Sequence, residues 1–182
     1  MTMCSLERFK IDLKALKDVE TAWEWDIDSG FFAALDGAEV QSGALHVSAS
    51  IRKVSGFFEL LLHATGTVDI PCDRCLDLME QPIEANNWLT VKLSATGEYG
   101  STLSDDDAIE VSEDEGILDC SWLVYETIAL AIPIQHVHAP GKCNPAMTQV
   151  LEELSADRSG DEESSQAIDP RWEALLKVKS EE

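Results

Sequence analysis

Two cysteines separated by two residues are the feature of the sequence best suited to chemistry. Cys72 and Cys75 lie in the stretch PCDRCLDLMEQP, residues 71–82. Two thiols at this spacing can supply half of a tetrahedral zinc site, because structural zinc is commonly held by two such pairs that the fold brings together. A zinc site would therefore need a second half-site, with cysteine or histidine in another tight turn.

The stretch HVHAPGKCNPAM contains suitable residues for the second half. His138 and Cys143 flank Pro140 and Gly141, which favour a sharp turn that directs both side chains to the same side. His136 is an alternative for the histidine position, and the sequence does not decide between the two histidines. We predict a structural zinc ion held by Cys72, Cys75, His138 and Cys143.

The sequence allows two other interpretations of the cysteine pair. The pair can lie in a hairpin turn without binding any metal, since short motifs of this kind also occur by chance. A redox pair is disfavoured because no helix begins at Cys72 to lower the pKa of a thiol. Of the remaining cysteines, Cys120 is predicted to be a small buried apolar residue, and Cys4 lies near the start of the chain.

The net charge favours some partners over others. The chain of 182 residues carries 35 acidic and 13 basic residues, a formal net charge of -22. Nucleic-acid binding depends largely on Lys and Arg that neutralise phosphates, and this chain has few of them. A basic protein, in contrast, is attracted to an acidic surface. The alternative is that the acidity serves solubility alone.

Other classes of function find little support in the sequence. No window approaches 18 uninterrupted apolar residues, so we expect no membrane span, and the first residues do not resemble a secretory signal. We therefore expect a cytoplasmic protein with reduced thiols. No Ser-His-Asp set, phosphate-binding loop or catalytic carboxylate pair is evident, so we expect neither an enzyme nor a small-molecule substrate.

The elements that must position the cysteines are predicted to be mostly strands. Apolar and polar residues alternate in residues 9–14, 21–28, 45–51, 58–70 and 83–93, a pattern typical of half-buried strands. Gly66, within the long fourth run, indicates a bulge. The runs form an antiparallel meander, and the cysteine pair falls where two strands connect. The predicted fold class is α+β, with an antiparallel sheet or a partly closed barrel.

The second half of the chain contains the predicted helices. Residues 105–119 hold eight acids and no base, which indicates an exposed loop or a short edge strand. Residues 117–132 are almost wholly apolar and end before Pro133, which predicts a buried helix. A C-terminal helix is predicted at residues 169–179, after Asp169 and Pro170. The predicted organisation is one domain over residues 1–154, a flexible acidic linker over 155–168, and the short helix and tail over 169–182.

Four segments together resemble a known family. CDRCLD, LVYETIALAIPIQHVH, GKC and DPRWEALLKV occur in this order, and the likeness extends over nearly the whole chain, from FKIDLKAL to the final helix. In this they are similar to the YceD family, bacterial proteins linked to accumulation of large-subunit ribosomal RNA, and to its Bacteroidetes-type branch in particular. The most specific elements are the CDRC turn and Asp169-Pro170-Arg171. The resemblance implies a role in ribosome biogenesis that supports accumulation of 23S ribosomal RNA.

Two mechanisms are consistent with this resemblance. In the first, the protein binds a large-subunit ribosomal protein or a pre-ribosomal particle, and its contact with 23S ribosomal RNA is indirect. The acids of residues 105–119 would attract the basic partner, and Arg74, Arg171 and Trp172 are candidate partner-binding residues. Docking of the C-terminal helix on the chain's own core is the alternative for that helix.

In the second mechanism the chain is a direct RNA-binding zinc module. Arg74, Lys142, Arg52 and Lys53 would then form a local basic patch beside the cysteine turn. The net charge favours the first mechanism.

Overall fold

A five-stranded sheet is the largest element of the protein. The structure is a computed structural model, and it describes residues 6–17, 19–35, 38–95 and 108–155. A short 3-10 turn, Leu6–Phe9, precedes the first strand. The strands are β1 (Lys10–Asp12), β2 (Glu20–Ile27), β3 (Ser42–Val54), β4 (Phe57–Pro71), β5 (Leu78–Ser94), β6 (Ala108–Ser112) and β7 (Ile117–Asp119). The helices are α1 (Ser29–Ala34), α2 (Ser121–Leu130) and α3 (Pro145–Leu154).

The strand order of the large sheet is β2-β3-β4-β5-β6, and β1 pairs with β7 in a second, two-stranded sheet. The pairs from β2 to β5 are antiparallel, which confirms the predicted meander and the α+β class. The sheet does not close into a barrel, and its last strand, β6, runs parallel to β5. Parallel neighbours require a connection of about a dozen residues, and residues 95–107 provide that length.

The core lies on one face of the large sheet, as the alternation predicts. Even-numbered residues of β4, such as Leu60 and Leu62, are buried, whereas their odd-numbered neighbours, such as Leu61, face the opposite side. Helix α2 covers the buried face, and its Val124 and Ile128 side chains are enclosed in the core.

Helix α2 begins later than the sequence predicts. The apolar run predicts a helix over residues 117–132, but residues 117–119 form β7 because they pair with β1 through Ile11↔Leu118 and its neighbours. The Asp119 carboxylate accepts a hydrogen bond from the backbone N–H of Ser121 (2.9 Å), which marks the change from strand to helix.

An aromatic cluster joins the N-terminal segment to the rest of the core. The ring centroid of Phe9 lies 5.0 Å from that of Trp25 and 4.9 Å from that of Phe31. Phe32, beside Phe31, makes an edge contact with Tyr125 of α2 at 6.5 Å. The cluster therefore connects the 3-10 turn, β2, α1 and α2, so these N-terminal elements pack on the same core as the strands that follow.

Gly66 does not form the predicted bulge. The pairing of β3 with β4 continues without interruption through Leu45↔Gly66 and Ala44↔Thr67. Instead, Gly66 has a φ of +148°, and a Cβ atom at this position would lie 2.2 Å from the carbonyl oxygen of Ala44. Gly66 is thus required for close approach of two backbones.

We expect Gly66→Ala to lower the free energy of unfolding by about 2–3 kcal/mol, because the added methyl group must push β3 away and because a strained φ costs about 1–3 kcal/mol. Urea denaturation of the purified variant measures this loss. Gly56→Ala is the matched control, since Gly56 also has a positive φ (+90°) but a Cβ atom added there would meet no other atom within 4 Å. Equal losses of unfolding free energy in the two variants would show that the close contact with the Ala44 carbonyl does not contribute to the effect.

Several predicted segments lie beyond the part of the chain that the structure describes. The linker over 155–168 falls outside it except for Ser155, and the C-terminal helix over 169–179 falls outside it entirely. The domain boundaries therefore stay predictions. Within the described ranges, no helix combines the length and hydropathy needed to cross a bilayer.

Candidate metal centre

The first cysteine pair lies in the connection between β4 and β5. The backbone N–H of Leu76 donates to the carbonyl of Cys72 (2.9 Å), and the N–H of Cys72 donates to the carbonyl of Asp77 (2.9 Å). Leu76 adopts a φ of +61°, a conformation that is unfavourable for a residue with a side chain. These contacts fold the chain tightly enough to bury both Cys72 and Cys75.

A second loop, residues 133–144, is held against this turn by reciprocal hydrogen bonds. The N–H of Asp73 donates to the carbonyl of His136 (3.0 Å), and the N–H of His136 donates to the Asp73 carboxylate (2.8 Å). Nε2 of His136 also lies 3.2 Å from the Asp73 carboxylate. Asp73 and His136 therefore align the two halves of the site.

The four predicted zinc ligands come together between these loops. One ligand atom from each of Cys72, Cys75, His138 and Cys143 lies within 4.8 Å of all the others. This group can hold a metal ion, and we call these four residues the candidate metal centre, or metal centre for short. His138 contributes to it through Nδ1, whereas His136 directs its ring to Asp73 and to the carbonyl of Pro133.

The distances within the group match a tetrahedral site. Sγ of Cys72 lies 3.9 Å from Sγ of Cys143, and Sγ of Cys75 lies 3.4 Å from Nδ1 of His138. Zinc bonds to sulfur at about 2.3 Å and to nitrogen at about 2.0 Å, so a regular tetrahedron places two sulfurs about 3.8 Å apart and a sulfur and a nitrogen about 3.5 Å apart. A disulfide needs sulfurs at about 2.05 Å, so the separation between Cys72 and Cys143 excludes one.

The electrostatic environment favours a thiolate at Cys72. Burial opposes its ionisation, but hydrogen bonds from the backbone N–H groups of Arg74, Cys75 and His138 and from the His138 side chain lower the pKa of Cys72 to about 6. The N–H groups of Arg74 and His138 lie 3.4 Å and 3.5 Å from that sulfur. Burial and the neighbouring thiols raise the pKa of Cys143. A cation among the sulfurs would favour the thiolate form of both residues.

Helix α3 begins directly beside the metal centre and was not predicted from the sequence. Asn144 follows Cys143 and caps the helix, since its side-chain oxygen accepts from the N–H of Ala146 (3.1 Å). Pro145 occupies the first helical turn. The Asn144-Pro145 pair is a helix-start signal that could have identified α3. A groove of about 360 Å³ runs between α3 and the metal centre, and Arg74 is among its lining residues.

The predicted basic patch is not formed. Arg52 and Lys53 lie near the β3–β4 turn, where Arg52 forms an ion pair with Glu59. The thirteen-residue step along β4 from Glu59 to Cys72 spans about 40 Å at 3.3 Å per residue. This prediction was wrong because the hairpin turn and the cysteine turn lie at opposite ends of the same long strand.

Some of the other candidate residues lie in the part of the chain that the structure describes, and others lie outside it. Arg74 and Lys142 are exposed beside the metal centre. Of the acids in residues 105–119, those from Glu110 onward lie in β6, β7 and the turn between them, and β6 is the predicted edge strand. Asp105, Asp106, Asp107, Arg171 and Trp172 lie outside the described residues.

Comparison with known proteins identifies a family. The family model described as "Large ribosomal RNA subunit accumulation protein YceD" matches residues 60–179. This range includes all four residues of the metal centre and both loops that carry them. No curated protein and no solved structure matches the chain. The match does not distinguish branches of the family, so the Bacteroidetes-type branch stays a prediction.

Proposed function

Because this chain belongs to the family of large ribosomal RNA subunit accumulation proteins, we propose that it is a non-enzymatic assembly factor acting in the cytoplasm. It supports accumulation of 23S ribosomal RNA by binding a basic large-subunit ribosomal protein, alone or within a pre-ribosomal particle. The family match supports the role in ribosome biogenesis. The choice of a protein as the direct partner rests on the charge distribution.

We propose further that the metal centre holds a structural zinc ion. Three sulfur donors and one imidazole are a ligand set that zinc prefers, and four protein ligands leave no open position for a substrate. Bound zinc would join the loop of residues 133–144 to the β4–β5 turn. The Asp73–His136 contacts lie just outside the ligands and would orient them, as outer contacts of metal sites usually do.

The charge distribution is the observation that favours a protein partner over RNA. The net charge is -22, and the basic residues near the metal centre, Arg74 and Lys142, are not joined by Arg52 and Lys53. A surface with so few cations neutralises few phosphates, so it gains little from the release of counterions on which RNA affinity depends. A basic ribosomal protein would be attracted over the same surface.

Direct RNA binding remains the second candidate, and one observation favours it. Arg74 and Lys142 both lie beside the groove at the metal centre, where they can contact a phosphate group. Such a contact would be local and would depend strongly on salt concentration.

A pull-down at low and moderate salt tests the proposed function. We expect the tagged protein to capture a basic large-subunit protein from a bacterial lysate, and we expect this capture to survive nuclease treatment. An unrelated protein of similar negative charge is the control for non-specific attraction. Capture that disappears entirely after nuclease treatment would favour the RNA-binding module, and capture of no ribosomal component would contradict both mechanisms.

A further inference from the structure

Helix α3 carries an apolar stripe on one side. Its apolar residues recur at intervals of three and four, which places them on a single helix face. We call this set the α3 stripe. It consists of Met147, Val150, Leu151 and Leu154.

The α3 stripe is only partly covered by the part of the chain that the structure describes. No residue of α3 is buried there: Met147 is half-buried, and Val150, Leu151 and Leu154 are 46%, 44% and 79% exposed. An amphipathic helix normally directs its apolar face to a core, and a ten-residue helix is only marginally stable in water without such packing. The stripe therefore has the properties of a surface that another molecule covers.

The charges beside the stripe indicate which kind of molecule this is. Glu152 and Glu153 occupy the last turn of α3, which contains no basic residue. Negative charge is unfavourable at this end of a helix, because the helix dipole already places partial negative charge there. A partner with Lys or Arg beside an apolar groove would reverse this unfavourable interaction, whereas the phosphates of RNA would add to it.

Further exposed apolar residues lie in the turn next to the N-terminal end of the helix. The side chain of Asn144 donates to the Asp77 carboxylate (3.2 Å), which holds the start of α3 beside the cysteine turn. On either side of Asp77, Leu76 and Leu78 are 67% and 70% exposed. The hydrogen bonds of the turn hold Leu76 at its unfavourable φ of +61°, which is consistent with a functional rather than a packing role for its side chain.

We propose that α3 is the docking helix of this protein: the α3 stripe inserts into an apolar groove of a basic large-subunit ribosomal protein, and Glu152 and Glu153 meet basic residues at the rim of that groove. Helix-in-groove recognition uses this spacing of apolar residues. The proposal rests on the proposed function and specifies its binding surface. Since α3 begins directly after Cys143, the metal centre fixes the position from which the helix projects.

The test uses the full chain and an RNA-free mixture of large-subunit proteins extracted from purified bacterial 50S subunits. The variant V150Q/L154Q replaces two stripe residues with a polar residue that still favours helix. W88Q is the matched control, because Trp88 is also exposed (76%) but lies in the middle of β5, far from α3 in the fold. Captured proteins are identified by mass spectrometry.

We expect the unmodified protein to capture one or a few basic proteins, V150Q/L154Q to reduce this capture at least tenfold, and W88Q to leave it unchanged. E152Q/E153Q is expected to reduce capture several-fold at low salt and less at high salt. Equal capture by the unmodified chain and V150Q/L154Q would overturn the docking helix while leaving the proposed function intact. No capture of any large-subunit protein by the unmodified chain would overturn both.

Two measurements on the isolated protein distinguish other occupants of the stripe. We expect the unmodified chain and V150Q/L154Q to have the same melting temperature and to be monomeric by sedimentation. A lower melting temperature in the variant would show that the chain covers its own stripe, and a dimer that the variant abolishes would identify a second copy as the occupant.

A third measurement uses purified 23S ribosomal RNA. If the RNA retains V150Q/L154Q but not R74Q, RNA contact is the dominant interaction. Each of these three results would overturn the proposal.

Discussion

Replacing Cys72 with serine is expected to reduce bound zinc from about one ion per chain to almost none, and to release residues 133–155 from the sheet. Loss of an outer contact of a metal site already costs about 10- to 100-fold in affinity, and loss of a ligand removes more. Apart from the four ligands, this segment is retained mainly by exposed hydrogen bonds such as those between Asp73 and His136, and helix α3 has no buried residue among those described. The sheet has its own core and should remain folded.

Elemental analysis and hydrogen exchange measure the two effects of Cys72→Ser. We expect fast amide exchange in residues 133–155 and unchanged protection in β3 and β4. Cys120→Ala is the matched control, since Cys120 is buried in the core, where burial and the charge of Asp119 raise the pKa of its thiol to about 12. A full zinc equivalent in Cys72→Ser, or loss of zinc in Cys120→Ala, would contradict the assigned ligand set.

Replacing Phe31 with alanine is expected to have the largest effect on stability. Phe31 is fully buried, and its ring contacts both Phe9 and Phe32. Removing a buried Phe side chain costs about 3–5 kcal/mol, because apolar burial is lost and a cavity remains. The free energy of unfolding of a typical domain is only about 5–15 kcal/mol, so this substitution removes a large part of it.

Chemical denaturation of the purified Phe31→Ala variant measures this effect. If the variant fails to fold, its yield in the soluble fraction is measured instead. Trp88→Ala is the control, and we expect it to change stability by less than about 0.5 kcal/mol because its ring is largely in solvent. Phe31 precedes the range that matches the family, residues 60–179. A stability loss below about 1 kcal/mol would show that the N-terminal segment packs loosely on the family's core.

Most strands could be predicted from the sequence because the large sheet is half buried. Each strand of β2 to β5 has one face in the core and one face in solvent, which produces the alternation of apolar and polar residues. The direction of pairing is not encoded in this alternation, and for that reason the parallel placement of β6 was missed. The start of α2 was misplaced for a related reason: an apolar run is equally suited to a strand and a buried helix, and only pairing with the distant β1 selects the strand for residues 117–119.

The members of the candidate metal centre were predictable from the sequence, but their geometry was not. Spacing and residue type identify Cys72, Cys75 and Cys143, since few other residue types bind zinc. The choice of His138 over His136 depends on Asp73, whose contacts with His136 exist only once the two loops meet. Helix α3 was missed although its start signal is present, because its short apolar stripe lies between polar residues and has no core to cover it among the described residues.

The pairing of β1 with β7 has a consequence for how the chain is made. Lys10 pairs with Asp119, so about 110 residues must be synthesised between the first partner and the second. At elongation rates of about 5–20 residues per second, the first strand waits roughly 5–20 s for its partner. Helix α2 ends at Leu130, 36 residues after β5 ends at Ser94, so the apolar face of the β2–β5 sheet stays open to water for roughly another 2–7 s. We therefore expect chaperones to bind the nascent polypeptide before α2 covers this face.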